Sequence, residues 1–147
     1  SANTHLNELK ENCTGLPYNI LEKIKWVTNF SSEKKKLLFN AIDILVLPSH
    51  NESFGLVFLE AWSCKKPVVG TSIGAIRNVI SEEKDGLLIN INDEKSLTSQ
   101  LLRLINDKPL RVKLGENGYK KVTENYTWDI IVSRLRKCYI EASASKN

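Results

Sequence analysis

Histidine is scarce in this chain, with two in 147 residues, methionine is absent, and cysteine occurs three times. Cys13, Cys64 and Cys138 are odd in number and far apart, with no C-x-x-C pair. That spacing speaks against a disulfide framework and against a structural zinc site, and it suits reduced thiols in a cytosolic protein. With no His/Asp cluster, no metal site is expected. No apolar run approaches 18 residues, so no transmembrane helix is predicted, and no secretory leader opens the chain. An opening "SAN" without Met reads as a processed or excised chain. The net charge of +4 is too small for a nucleic-acid footprint. It does suit an anionic small ligand such as a diphosphate, or an anionic membrane surface. The clustered cations, Lys34-Lys35-Lys36 and Lys120-Lys121, read as solvated helix faces.

What is present points to a globular fold of one-domain size, with 41% hydrophobic and 26% charged residues. Helices and short strands alternate. Leu6 and Leu9 share one face of a helix over "THLNELKENC". "IKWV" at 24–27 is predicted as a strand. Ser31 or Ser32 caps a helix through "SSEKKKLLFNA", with Glu33 in its first turn. "DILVLP" at 43–48 is a continuous apolar run, predicted as a strand buried on both faces. A helix follows from Ser53–Gly55 to about Cys64. "KPVVGT" at 66–71 is a strand, 75–80 a short helix, and "DGLLIN" at 85–90 a strand entered through an Asp-Gly turn. Asp93 caps a helix to about Asn106, and Pro109 sits in the first turn of the next. Trp128, Ile131, Val132, Leu135 and Tyr139 recur at helical spacing in a closing amphipathic helix. Trp26, Trp62 and Trp128 read as packing residues, Trp26 in the core and the other two in the core or between domains. Strands joined by helices pair in parallel through right-handed crossovers, so the fold class is α/β, a doubly wound, Rossmann-like parallel sheet.

Ligands of such sheets sit beyond the carboxyl ends of the strands. Two loops leave those ends carrying Ser, Asn and Gly and run into helices: "SHNESFG" and "TSIGA". A helix N-terminus offers unpaired N–H groups and roughly half a positive charge. Gly55 lets the backbone approach a ligand. Glu52 lies at the lip ahead of the helix and Glu60 eight residues on, about 12 Å away if the span is helical. That is too long for the paired acids of a retaining hydrolase, which stand about 5 Å apart. It suits two ends of one extended ligand with an anion between them. His50 lies in the same loop and reads as a polar surface residue. Arg77 reads equally as a phosphate ligand or a solvated charge.

The stretch "AIDILVLPSHNESFGLVFLEAWSCKKPVVGTSIGAIRNVI…DGLLI" resembles the nucleotide-sugar-binding region of family 4 glycosyltransferases. The likeness rests on Asp43, Pro48, Ser49, Glu52, Phe54, Gly55, Glu60, Ala61, Cys64, Pro67, Val68, Thr71, Gly74 and Gly86 in order, with "YTWD" at 126–129 matching the motif that opens the family's last helix. It implies the C-terminal half of a GT-B fold, a partial donor-binding domain over residues 1–147, and an enzyme that retains anomeric configuration. It also implies roles. Glu52 would bind hydroxyls of the transferred sugar and counts as the catalytic candidate. Phe54 and Gly55 would offer N–H groups to the sugar, and Leu56 and Val57 to the diphosphate. Glu60 would bind the ribose. Thr71 and Gly74 would line the donor pocket, and Ser53, in the same loop, completes the substrate-binding set. The donor, a nucleoside-diphosphate sugar, is a substrate rather than a cofactor. The acceptor would be a glycan or lipid-linked molecule held by an N-terminal domain missing here, as in cytoplasmic polysaccharide biosynthesis, peripheral to the inner face of the membrane.

The chain departs from the family pattern at Lys65, Ala75 and Asn78, where a Gly, a Gly and a Glu are usual. The family's Gly-Arg…Lys-Gly segment and its first two strands have no counterpart. In the family's strand order 3-2-1-4-5-6, 24–27 would be third and 43–48 fourth. These two would then pair directly, pair with another chain in a homodimer, or leave exposed edges. The rival readings are a GT-B sugar-nucleotide epimerase and a non-catalytic nucleotide-sugar-binding or interaction fragment.

Overall fold

The structure is a computed structural model that describes the backbone of residues 2–144 and side chains from Leu6 onward. The chain divides into two compact units, Ser1–Lys34 and Lys35–Asn147. The first holds α1 (Ala2–Cys13) and α2 (Tyr18–Leu21), a single turn that propensity did not reveal. Residues 24–27, predicted as a strand, form none. A strand needs a neighbour to take its N–H and C=O groups, and the sheet formed by the described residues does not include this segment. Trp26 is accordingly 42% exposed rather than core, with the Lys10 ammonium 6.0 Å from its ring centroid.

The helix α3 (Ser32–Ala41) carries the boundary between the units, and Ser31 is its cap, the Oγ accepting from the Lys34 N–H at 3.3 Å. Three parallel strands follow, β1 (Leu45–Leu47), β2 (Val68–Thr71) and β3 (Gly86–Ile89), in the order β1-β2-β3. Leu45 pairs with Val68, and Val68 with Gly86. α4 (Leu56–Ser63) makes the first crossover and α5 (Ile76–Val79) the second. β2 is central and wholly buried. β1, predicted as buried on both faces, is only half-buried because it is an edge strand with one neighbour.

Alternation along β2 sends its side chains to two cores. Val68 packs with Phe58, Ala61, Trp62, Ile76, Val79 and Ile80, the buried faces of α4 and α5. Val69 packs with Leu87 and Ile89 of β3 and with Leu104 and Leu114. Those last two come from α6 (Glu94–Asn106) and α7 (Lys108–Asn125). Asp93 caps α6 as expected, accepting from Ser96 N–H at 2.9 Å, and Asp107 does the same for α7 through Leu110 N–H at 2.8 Å.

α7 also packs on α4, where Gly115 and Gly118 meet the Lys65 backbone and the Trp62 indole. α8 (Trp128–Ala144) follows its predicted spacing, but no described residue covers its apolar stripe. Trp128 is 81% exposed and is no part of the core. Below α4, one buried polar knot ties three elements. Asp85, 1% exposed, accepts from Ser81 N–H at 2.8 Å and pairs with Lys121 of α7. The Lys121 ammonium also donates to Val79 O and Ser81 Oγ and lies over the Trp62 ring, whose Nε1 donates to Asp85 O.

Candidate functional site

The β1–α4 loop, residues 48–55, leaves the carboxyl end of β1 and delivers the chain to the N-terminus of α4. Gly55 is the pivot, with φ +79° in the left-handed region. A Cβ there would lie 2.5 Å from Phe58 Cδ2, so only Gly both adopts the turn and lets Phe58 close into the core. No Ser, Thr, Asp or Asn caps the helix. Glu52 instead closes the loop that leads into it. Its Oε1 accepts from the N–H groups of Ser53, Phe54 and Gly55 at 3.0, 3.4 and 3.1 Å. The N–H groups of Phe54 and Gly55, expected to meet the sugar, are thus taken by Glu52.

The next two N–H groups, of Leu56 and Val57, open the helix and by its geometry have no intrahelical acceptor. Among the described residues none meets another acceptor either. The loop therefore offers two sets of donors, one filled by Glu52 and one open. Glu60 lies in the second turn of the same helix, half-buried, and is engaged by Lys35 of α3 at 2.5 Å. That pairing had no sequence signal beyond opposite charges 25 positions apart.

The β2–α5 loop comes close on the same side. Gly74, at φ +40°, would place a Cβ 3.9 Å from Glu52 O. Arg77 Nε donates to Ser72 O at 2.8 Å, which ties its side chain to that loop. Thr71 behaves otherwise. Two positions after Val69, its side chain lies on the α6 face of the sheet, where it lines a cavity of about 360 Å³ with His50, Asn90 and Asp93. Its hydroxyl is buried and has no hydrogen-bond partner. The predicted substrate-binding set is thus divided: Glu52, Ser53, Phe54, Gly55, Leu56, Val57, Glu60 and Gly74 belong to the loops and helix around the α4 N-terminus, and the Thr71 side chain to the other face. No group of three His, Cys, Asp or Glu residues placed to hold a metal occurs among the described residues.

The model of the family described as glycosyl transferases group 1 matches residues 7–121. The chain belongs to that family. It is 34% identical over 125 residues to an uncharacterized glycosyltransferase of Methanocaldococcus jannaschii, covering 85% of this chain and 35% of that protein. It is 32% identical over 142 residues to a D-inositol 3-phosphate glycosyltransferase of Salinispora arenicola, covering 97% of this chain and 30% of that one. Among solved structures, the sucrose-phosphate synthase of Thermosynechococcus elongatus superposes with a TM-score of 0.85 at 25% identity, over 97% of this chain and 35% of that one. The chain therefore spans about a third of the length of these proteins, and its fold matches part of a GT-B architecture. No described helix is long and apolar enough to cross a membrane.

Proposed function

We propose that the chain is the donor-binding part of a retaining glycosyltransferase, which moves a sugar from a nucleoside-diphosphate sugar to a glycan or glycolipid acceptor. One observation carries this reading: the open N–H pair of Leu56 and Val57 at the start of α4, flanked by Glu52 on one side and Glu60 on the other. The diphosphate takes the open pair, where the helix dipole favours an anion. The ribose reaches Glu60, whose carboxylate accepts hydroxyl protons. The sugar lies against Glu52, Phe54 and Gly55. As the glycosidic C–O bond breaks, negative charge grows on the leaving diphosphate. Preorganised N–H donors stabilise that charge more in the transition state than in the ground state.

Calorimetric titration of the full-length polypeptide with a panel of nucleoside diphosphates and their sugar conjugates tests the reading. Binding of one nucleotide, weakened by Glu60→Ala, supports it, and failure of the whole panel to bind defeats it. The 147 residues alone should transfer no sugar, because acceptor positioning lies on segments outside them and orientation is worth several kcal/mol of barrier.

A further inference from the structure

We infer that Lys35 is a positioning residue for Glu60, holding its carboxylate ready for the ribose of the donor. The inference rests on the donor-site reading above. Three lysines stand in a row on α3, and at 100° per residue they cannot share a face. Lys34 and Lys36 are exposed, whereas Lys35 is half-buried. The reason is Phe39, one turn further along, which packs into the core with Phe58 and Trp62 of α4. Residues four apart lie on one helix face, so the packing of Phe39 turns Lys35 toward α4.

The Lys35 ammonium meets Glu60 Oε1 at 2.5 Å, and among the described residues Oε2 has no protein partner. A carboxylate accepts at both oxygens. One oxygen is therefore fixed by Lys35 while the other stays open to a hydroxyl. As a stabilising contact the pair counts for little, since both side chains are more than a third exposed. Its value lies in the site. A diphosphate brings negative charge between two carboxylates, Glu52 and Glu60. Lys35 neutralises the second of them without occupying its open oxygen. A bound nucleotide would also exclude water from the pair and strengthen it.

The experiment compares uridine and guanosine diphosphates with their 2′,3′-dideoxy forms, titrated into the full-length polypeptide. Lys35→Ala should weaken the ribonucleotide about five- to tenfold, the size of one hydrogen bond, and leave the dideoxy form unchanged. Lys35→Arg should restore binding to within about threefold, because it returns a cation to Glu60. Equal losses for the ribo and dideoxy forms, or no loss at all, would overturn the inference. Glu60→Ala separates the two levels of the argument. If it removes the preference for the ribonucleotide while Lys35→Ala does not, the positioning role fails and the donor site stands. If Glu60→Ala leaves that preference intact, the donor-site reading itself fails, and the inference with it. Unfolding temperatures of both variants should match the parent, which a merely structural role would not predict.

Discussion

Replacing Asp85 by Asn keeps the shape of the side chain and one oxygen for the Ser81 N–H, but removes the charge that faces Lys121. Asp85 is 1% exposed and Lys121 19%, so water cannot replace the lost partner. Breaking a buried pair from one side costs about 3–5 kcal/mol. Here the lower end applies, because Lys121 keeps the Val79 carbonyl at 2.8 Å, the Ser81 hydroxyl at 2.9 Å and the Trp62 ring face. A loss of about 3 kcal/mol in a domain of this size lowers Tm by about 6–12 °C. Scanning calorimetry at neutral pH reads this directly. Lys121→Met should cost a similar amount by stranding the carboxylate. The double variant should cost much less than the two losses added, since apolar or neutral partners can replace a buried pair at little cost. An Asp85→Asn melting point within about 2 °C of the parent would refute the reasoning, as would strict additivity in the double variant.

The two signature acids should fail differently in the full-length polypeptide. Glu60→Ala should weaken free nucleoside diphosphate by about 1–3 kcal/mol. Glu52→Ala should leave that affinity within about threefold, because the Leu56 and Val57 donors are not the ones Glu52 fills, while turnover drops strongly. Calorimetry and steady-state kinetics on both variants check this. Gly55→Ala should destabilise the domain by about 1–3 kcal/mol in chemical unfolding, through left-handed strain and the clash with Phe58. Arg103 holds the Glu83 carboxyl below its usual range through a side-chain hydrogen bond. A depressed carboxylate adds stability above its unfolded pKa and loses it as pH falls through the folded one. Arg103→Ala should therefore lower stability slightly at pH values above about 4.5, leave it unchanged at pH values below the folded pKa, and so make the acid limb of the stability–pH curve shallower.

Local signals carried most of the architecture. Asp93 before its helix, Pro109 within the next and the apolar runs at 45–47, 68–71 and 86–89 all depend on neighbours close in sequence, and all appear where the pattern puts them. What sequence left hidden is non-local. "IKWV" has strand composition, yet composition does not supply a neighbouring strand. Asp85 reads as a turn residue before Gly86, and its buried partner stands 36 positions away on another helix. In the site, the order of Glu52, Gly55 and Glu60 was legible. That Glu52 takes the N–H groups of the three residues that follow it was not, and neither was the reach of Lys35 to Glu60. Thr71 stood in the strand as expected, and alternation sends its hydroxyl to the α6 side of the sheet, opposite Val68.

The contact between Gly118 and Trp62 has a consequence for the distant end of α4. The helix is held at its C-terminal half by the indole, which lies close against a turn of α7 that has no side chain there. Its other end, carrying the open N–H pair, is seated on the buried Phe58 ring, so a shift at the Trp62 anchor reaches the donors through that ring. Eight residues give a rod of about 12 Å, so a tilt of 10° at the anchor displaces the donors by about 2 Å. Hydrogen bonds fail over less than that. Gly118 thus shares in setting the aim of a helix it touches only at the far end. A methyl group placed there would press on the buried indole and so tilt the grip on a diphosphate from a position that no ligand touches, at a cost in stability of about 1–3 kcal/mol.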